Sequence, residues 1–144
     1  MALDFEGKVA IVTGSGGGIG KGYALELAKR GAKVVVNDLG GAVDGSGGSL
    51  SAAEAVVQEI ESAGGEAMAN GANVCSEEDV KNMVQATMEK WGRVDILINN
   101  AGILRDKSFA KMEWSDFVTV VNVHLMGSAP VSYTHLTLPT TTIV

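Results

Sequence analysis

Residues 9–30, VAIVTGSGGGIGKGYALELAKR, constrain this chain more than any other stretch, because a short β-branched run breaks into glycine and resumes as a patterned helix. Residues 9–12 read as a buried strand and 14–20 as a turn with almost no side chains. Ile19, Tyr23 and Leu27, with Ala24 and Ala28, recur at helical spacing, which predicts an apolar helix face on those positions. Where a strand feeds a glycine turn that opens a helix, backbone N–H groups can meet a pyrophosphate. No Cβ blocks the approach, and the helix dipole favours the anion. A flexible glycine linker lacks such flanks.

The loop TGSGGGIG at 13–20 resembles the TGxxxGxG loop of the short-chain dehydrogenases/reductases, and NNAG at 99–102 matches that family's second motif in the expected order. The resemblance implies an α/β fold, the N-terminal part of a Rossmann-type doubly wound parallel sheet with strand order 3-2-1-4. It also implies a nicotinamide cofactor held by Gly14, Ser15, Gly18, Ile19 and Gly20 of the loop and by Asn100, Ala101 and Gly102 of the later turn. Two further stretches, NDLGG with the SLSAAEAVVQEI that follows a glycine-rich insertion, and GILRDKSFA, narrow the likeness. They resemble the (3R)-hydroxyacyl-CoA dehydrogenase unit of the D-specific multifunctional β-oxidation enzymes and its bacterial relatives.

At 144 residues the chain is long enough for one domain with a core, although members of the family it resembles are longer. A formal charge of −6 with no basic cluster makes nucleic acid and anionic membranes poor partners. Cys75 is the only cysteine, which excludes an intrachain disulfide and a thiolate metal cluster, and it reads as a small, partly buried apolar residue. Residues 1–7 are acidic and run straight into the first strand, unlike a signal peptide, and no apolar run reaches membrane-spanning length. The expectation is a cytoplasmic, soluble protein without a metal site.

In chain order, Gly31 stops the first helix and KVVVN at 33–37 forms a second strand closed by Asp38. Asp38 stands roughly 20 residues past the loop, the offset at which an acid binds the adenosine ribose hydroxyls. Its charge would repel the 2′-phosphate of NADP, and no Arg or Lys lies between Thr13 and Gly20 to attract one. The cofactor expected is therefore NAD. Residues 39–48 are a glycine-rich excursion, followed by a helix with Val56, Val57 and Ile60 on one side. After a third strand at 66–70, the resemblance places Asn73 and Val74 against the adenine, while an Asn in a turn is equally an ordinary turn residue. Ser76 reads as a helix N-cap, Val80, Met83, Val84 and Met88 as a core stripe, and 94–98 as the fourth strand.

From Met112 a further helix is predicted, with Phe117, Val120, Val121 and His124 or Leu125 inward, while Arg105 and Lys107 read as exposed surface charges rather than phosphate ligands. Relatives carry an Asn three residues before a Gly on this helix, where it holds a water of the proton relay. Here that slot is His124, counted from Gly127. Asn122, two positions away, faces nearly the other way at about 200° of rotation. The remaining chemistry needs a Ser, a proton-passing Tyr and a Lys four residues later that lowers the phenol pKa. Tyr133 is followed at that offset by Thr137, no Lys follows Lys111, and Ser128 and Ser132 come too early. The chain as written cannot complete the reaction.

Residues 131–140, VSYTHLTLPT, abandon the amphipathic pattern, and their back-translation resembles one reading frame of a transposase-type sequencing adapter. The expectation is a truncated dinucleotide-binding domain over 1–129 and a non-native tail over 130–144. The resemblance implies a parent enzyme, homo-oligomeric, that transfers hydride between NAD and the 3-position of a hydroxyacyl or oxoacyl thioester. A noncatalytic dinucleotide-sensing module and an NADPH-dependent 3-oxoacyl-carrier-protein reductase stay open. A methyltransferase also uses a glycine loop and an acid after the second strand, but gives NNAG no role.

Overall fold

Strands of five or fewer residues alternate with helices, as the switch between period-two and helical patterning requires. In the computed structural model, which describes residues 3–41 and 50–136, the order is β1 (Val9–Thr13), α1 (Gly18–Lys29), β2 (Lys33–Asn37), α2 (Ser51–Ser62), β3 (Glu66–Asn70), α3 (Glu77–Trp91) and β4 (Ile96–Ile98). A short 3-10 turn (Phe109–Lys111), α4 (Trp114–Val121), a π-turn (Asn122–Met126) and α5 (Ser128–Leu136) follow. Most of the glycine-rich excursion at 39–48 and the end of the expected tail lie outside the described residues.

All four strands are parallel, in the order β3-β2-β1-β4. This is the doubly wound sheet that the sequence predicted. Alternate residues of each strand face opposite layers. Ala10, Val12, Val34 and Val36 pack with Ala24 and Leu27 of α1 and Val56 and Ile60 of α2, whereas Ile11 and Val35 pack with Val80, Met83 and Val84 of α3. Ser76 caps α3 by accepting the Asp79 N–H at 3.2 Å, and Gly92 ends it in the left-handed conformation.

Two expectations need correction. On α1 the inward face is Gly20, Ala24, Leu27 and Ala28, while Ile19 is 73% exposed and Tyr23 points out with it. Small residues bring this helix close to the sheet. Across α4 and the π-turn the expected inward face holds only at Val120 and Val121, which are half-buried: Phe117 and Leu125 are exposed and Asp116 is buried, its carboxylate satisfied by two cations outside the helix. The helical run also continues past Pro130 to Leu136. Val131 anchors that continuation in the core against α3, and the Ser128 and Ser132 hydroxyls donate back to the carbonyls of His124 and Ser128 at 2.9 Å.

Candidate functional site

At the carboxyl ends of β1, β2 and β4 lies a cleft of about 570 Å³. Ligands of open α/β sheets bind at this edge. Its floor is the glycine turn. Gly14 has φ +64°, and a Cβ there would stand 2.7 Å from the Ala101 Cα. A Cβ at Gly20 would collide with the Gly14 carbonyl and the Asn100 amide. By contrast nothing lies within 4 Å of a Cβ at Gly17 or Gly18, so the loop faces open space there. The first turn of α1 has no acidic residue and no side-chain cap, which leaves its N–H groups for an anion.

The two predicted motifs are physically one unit. Asn100 Nδ2 donates to the carbonyls of Thr13 (3.0 Å) and Gly14 (2.9 Å), and the buried Thr13 hydroxyl accepts the N–H groups of Asn100 (3.1 Å) and Ala101 (3.0 Å). Thr13 belongs to the motif, but its spacing gave no sign that it bridges the seam. Since Asn100 N–H also reaches the Ile98 carbonyl, Thr13→Val strands chiefly the Ala101 N–H. We expect the variant to lose about 1–3 kcal/mol of stability, read from its urea midpoint, with Thr13→Ser close to the parent. An unchanged midpoint in Thr13→Val would show that the hydroxyl does not carry the seam.

Asp38 is held by two backbone N–H groups. Its Oδ2 accepts the Gly16 N–H at 2.8 Å and its Oδ1 the Gly40 N–H at 2.7 Å. A Cβ on Gly16 would come within 2.8 Å of that carboxylate, so glycine is what lets the acid close on the loop. Asn37 holds the neighbouring wall, its amide donating to the Ala72 carbonyl at 3.0 Å.

Of the predicted residues, Gly14, Gly18, Asp38, Asn73, Val74, Asn100, Ala101 and Gly102 line the cleft. Ser15, Ile19 and Gly20 do not. Ser15 is buried, with its hydroxyl on the Val12 carbonyl (2.7 Å) and its N–H on the Asn37 carbonyl (2.9 Å), so it shapes the turn from behind. Asn73 lines the cleft, and its Oδ1 accepts the Cys75 N–H at 2.9 Å, the bond of an ordinary turn residue. Cys75 is exposed on the same wall rather than partly buried. Sequence reasoning missed Ala72, Ile103, Thr119 and Val123 as lining residues, because no motif marks them.

His124 is brought to the cleft's edge. Its ring lies against Gly102, where a Cβ would be 2.6 Å from Cε1, and its Nε2 is 3.1 Å from the Ile103 N and 2.9 Å from the Ile103 O. The π-turn that carries it is closed by the Gly127 N–H on the Asn122 carbonyl (2.7 Å), a local widening that α-helical counting could not foresee. Arg105 and Lys107 are exposed as expected, and both pair with Asp116 at 2.9 Å. Among the described residues no group of side chains fits a metal ion, and no helix is long and apolar enough to cross a membrane. A larger depression of about 860 Å³ lies elsewhere, among Leu3, Lys29, Gly31, Ile60 and Gly64, and holds none of the predicted residues.

Comparison with known proteins finds relatives of the whole fold. The short chain dehydrogenase family pattern matches residues 8–140. Peroxisomal multifunctional enzyme A of Dictyostelium discoideum is 60% identical over 132 residues, which cover 92% of this chain and 29% of that protein. The peroxisomal hydratase-dehydrogenase-epimerase of Saccharomyces cerevisiae is 54% identical over 130 residues, 90% of this chain and 14% of that one. Among solved structures, a 7α-hydroxysteroid dehydrogenase complexed with NADH and 7-oxo glycochenodeoxycholic acid is similar at a TM-score of 0.81 and 36% identity, covering 92% of this chain and 48% of that chain. The chain thus spans less than a third of the two curated relatives and about half of the solved structure.

Proposed function

The chain belongs to the short chain dehydrogenase family of oxidoreductases, and from that premise we propose that the protein it represents moves hydride between NAD and the 3-position of a hydroxyacyl or oxoacyl thioester. Hydride exchange is the chemistry a nicotinamide supplies when bound. The residues present fit such a cofactor: open space at Gly17 and Gly18, free N–H groups opening α1, and a carboxylate across the cleft. In this reading Gly14, Gly18 and the loop behind Ser15, Ile19 and Gly20 receive the pyrophosphate. Asn100, Ala101 and Gly102 back the cofactor, and Asn73 and Val74 flank the adenine. His124, its Nε2 engaged with Ile103, has Nδ1 left to hold a relay water.

The observation that carries the NAD preference is the fixed Asp38. A carboxylate gripped by two backbone N–H groups cannot swing aside for a 2′-phosphate, so it accepts ribose hydroxyls and repels NADP. The same geometry weighs against an NADPH-dependent carrier-protein reductase. The dehydrogenase part of this reading is supported by relatives named as multifunctional and hydratase-dehydrogenase-epimerase enzymes, and the thioester rests on the resemblance carried by NDLGG and GILRDKSFA. Those relatives are also named peroxisomal, beside the cytoplasmic placement expected from residues 1–7. Imaging the tagged complete protein decides between the two compartments.

The test is to express the complete reading frame and follow NADH formation from a (3R)-hydroxyacyl-CoA with NAD and with NADP. Asp38→Ala should weaken NAD binding about 10- to 100-fold, the loss of charge-assisted hydrogen bonds of about 1.5–3 kcal/mol, and narrow the gap to NADP. Equal use of both cofactors by the unmodified protein would overturn the NAD assignment. Tight NAD binding without turnover, in a frame that lacks Tyr and Lys four apart, would favour the sensing module.

A further inference from the structure

Among the described residues Asp116 is the one buried ionisable side chain, 4% exposed, on a helix whose Trp114 (73%) and Phe117 (44%) face outward. A carboxylate is turned inward at the expense of two stacked aromatic rings. Such burial is unfavourable unless the charge is paired and hydrogen-bonded. Here both oxygens are used: Arg105 Nη1 donates to Oδ1 and Lys107 Nζ to Oδ2, each at 2.9 Å. The hydrogen bonds from Lys107 and Arg105 hold the Asp116 carboxyl below the usual carboxylate range, and the same contact raises Lys107.

The consequence lies in where those cations sit. They belong to the segment that leaves β4, whose residues Asn100 to Ile103 wall the cleft. The facing wall is Thr119 and Val123, one and two turns beyond Asp116 on the same helical run. Segment and helix are therefore tied twice, once by the Asp116 ion triad and once by His124 Nε2 on the Ile103 peptide. Arg105 follows Ile103 by two residues, so the two ties hold neighbouring points of one segment.

We infer that Asp116 is a positioning residue: through Arg105 and Lys107 it seats the Ile103 peptide on the His124 imidazole, and so sets turnover rather than cofactor affinity. This rests on the hydride-transfer reading of the cleft. Asp116→Asn keeps the shape and removes the charge that gathers both cations. In the protein from the complete reading frame, kcat should fall about 10- to 100-fold, as a small misplacement at a relay group does. The KM for NAD should change less than kcat, because the glycine loop, Asn100 and Asp38 keep their own hydrogen bonds and only the Gly102 end of the wall adjoins the Ile103 peptide. Arg105→Ala with Lys107→Ala should give the same loss, and adding Asp116→Asn to that pair should add little, since all three act as one unit.

A merely stabilising triad would lower the melting temperature while leaving kcat of the folded enzyme unchanged, and that result would overturn the inference. So would additive losses across the triad. Should Asp116→Asn not fold, Lys107→Ala alone retains the Arg105 pair and reports a partial loss of kcat. A second readout needs no turnover: the His124 ring resonances, assigned by their disappearance in His124→Gln, should shift in Asp116→Asn. If the unmodified protein binds NAD without oxidising any hydroxyacyl-CoA, the functional reading fails. The His124 resonances then still decide whether Asp116 positions that ring.

Discussion

Gly14→Ala should lose about 2–5 kcal/mol of stability and, with it, dinucleotide binding, whereas Gly17→Ala, three residues away in the same glycine run, should unfold at nearly the parent's urea concentration. Two independent effects add at Gly14. A side chain in the left-handed region costs roughly 1–2 kcal/mol, and its Cβ would stand 2.7 Å from the Ala101 Cα. Overpacking of this kind costs about 1–3 kcal/mol more. Relief by backbone movement is blocked, because Thr13 and Asn100 pin both sides of the contact. At Gly17 the backbone is extended, with φ −166°, and nothing lies within 4 Å of an added Cβ. Surface changes of that sort usually fall within about 0.5 kcal/mol. Paired denaturation curves check both, and a Gly14→Ala midpoint equal to the parent's would remove the steric account of the seam.

The 144-residue chain should show hydroxyacyl-CoA oxidation at least about 10²- to 10⁴-fold below the protein from the complete reading frame, the range that a positioned acid–base group contributes. Tyr133, the tyrosine nearest in sequence to the expected position, is exposed on α5 and is followed four residues later by Thr137 rather than Lys. Reading the source locus past Ala129 with a different library chemistry tests the companion proposal, that residues 130–144 are not native. The expected outcome is a Tyr and a Lys four apart soon after that point. Comparable rates from the two proteins would mean that a group already in this chain moves the proton.

The parts of the fold that were legible in the sequence are those whose causes are local. Val9, Ile11 and Val34 to Val36 sit in strands because β-branched runs between turns suit a buried sheet. Ser76 and Gly92 bound α3 because a hydroxyl and a left-handed glycine satisfy the ends of any helix. The glycine turn and Asp38 were legible for the same reason. What escaped depends on partners far along the chain. The inward turn of Asp116 follows from cations 9 and 11 residues upstream, which a helical wheel cannot see. Ile19 and Tyr23 kept an apolar spacing but lost the inward face to Gly20 and Ala24, since contact with Asn100 demands a close approach there. The π-turn before Gly127 likewise leaves no trace in residue type.

The seam between the glycine turn and Asn100 also governs when the site can come into being. Thr13 and Asn100 are 87 residues apart, so their hydrogen bonds close one of the longest loops in the molecule, and long-range parallel pairing is slow to form. On a ribosome adding about 5–20 residues per second, β1 waits roughly 4–17 s for its β4 partner to be made. During that interval β2 can protect one side of β1 and nothing protects the other. A nascent chain would therefore gain its dinucleotide cleft last, as one event with the closing of its central strand.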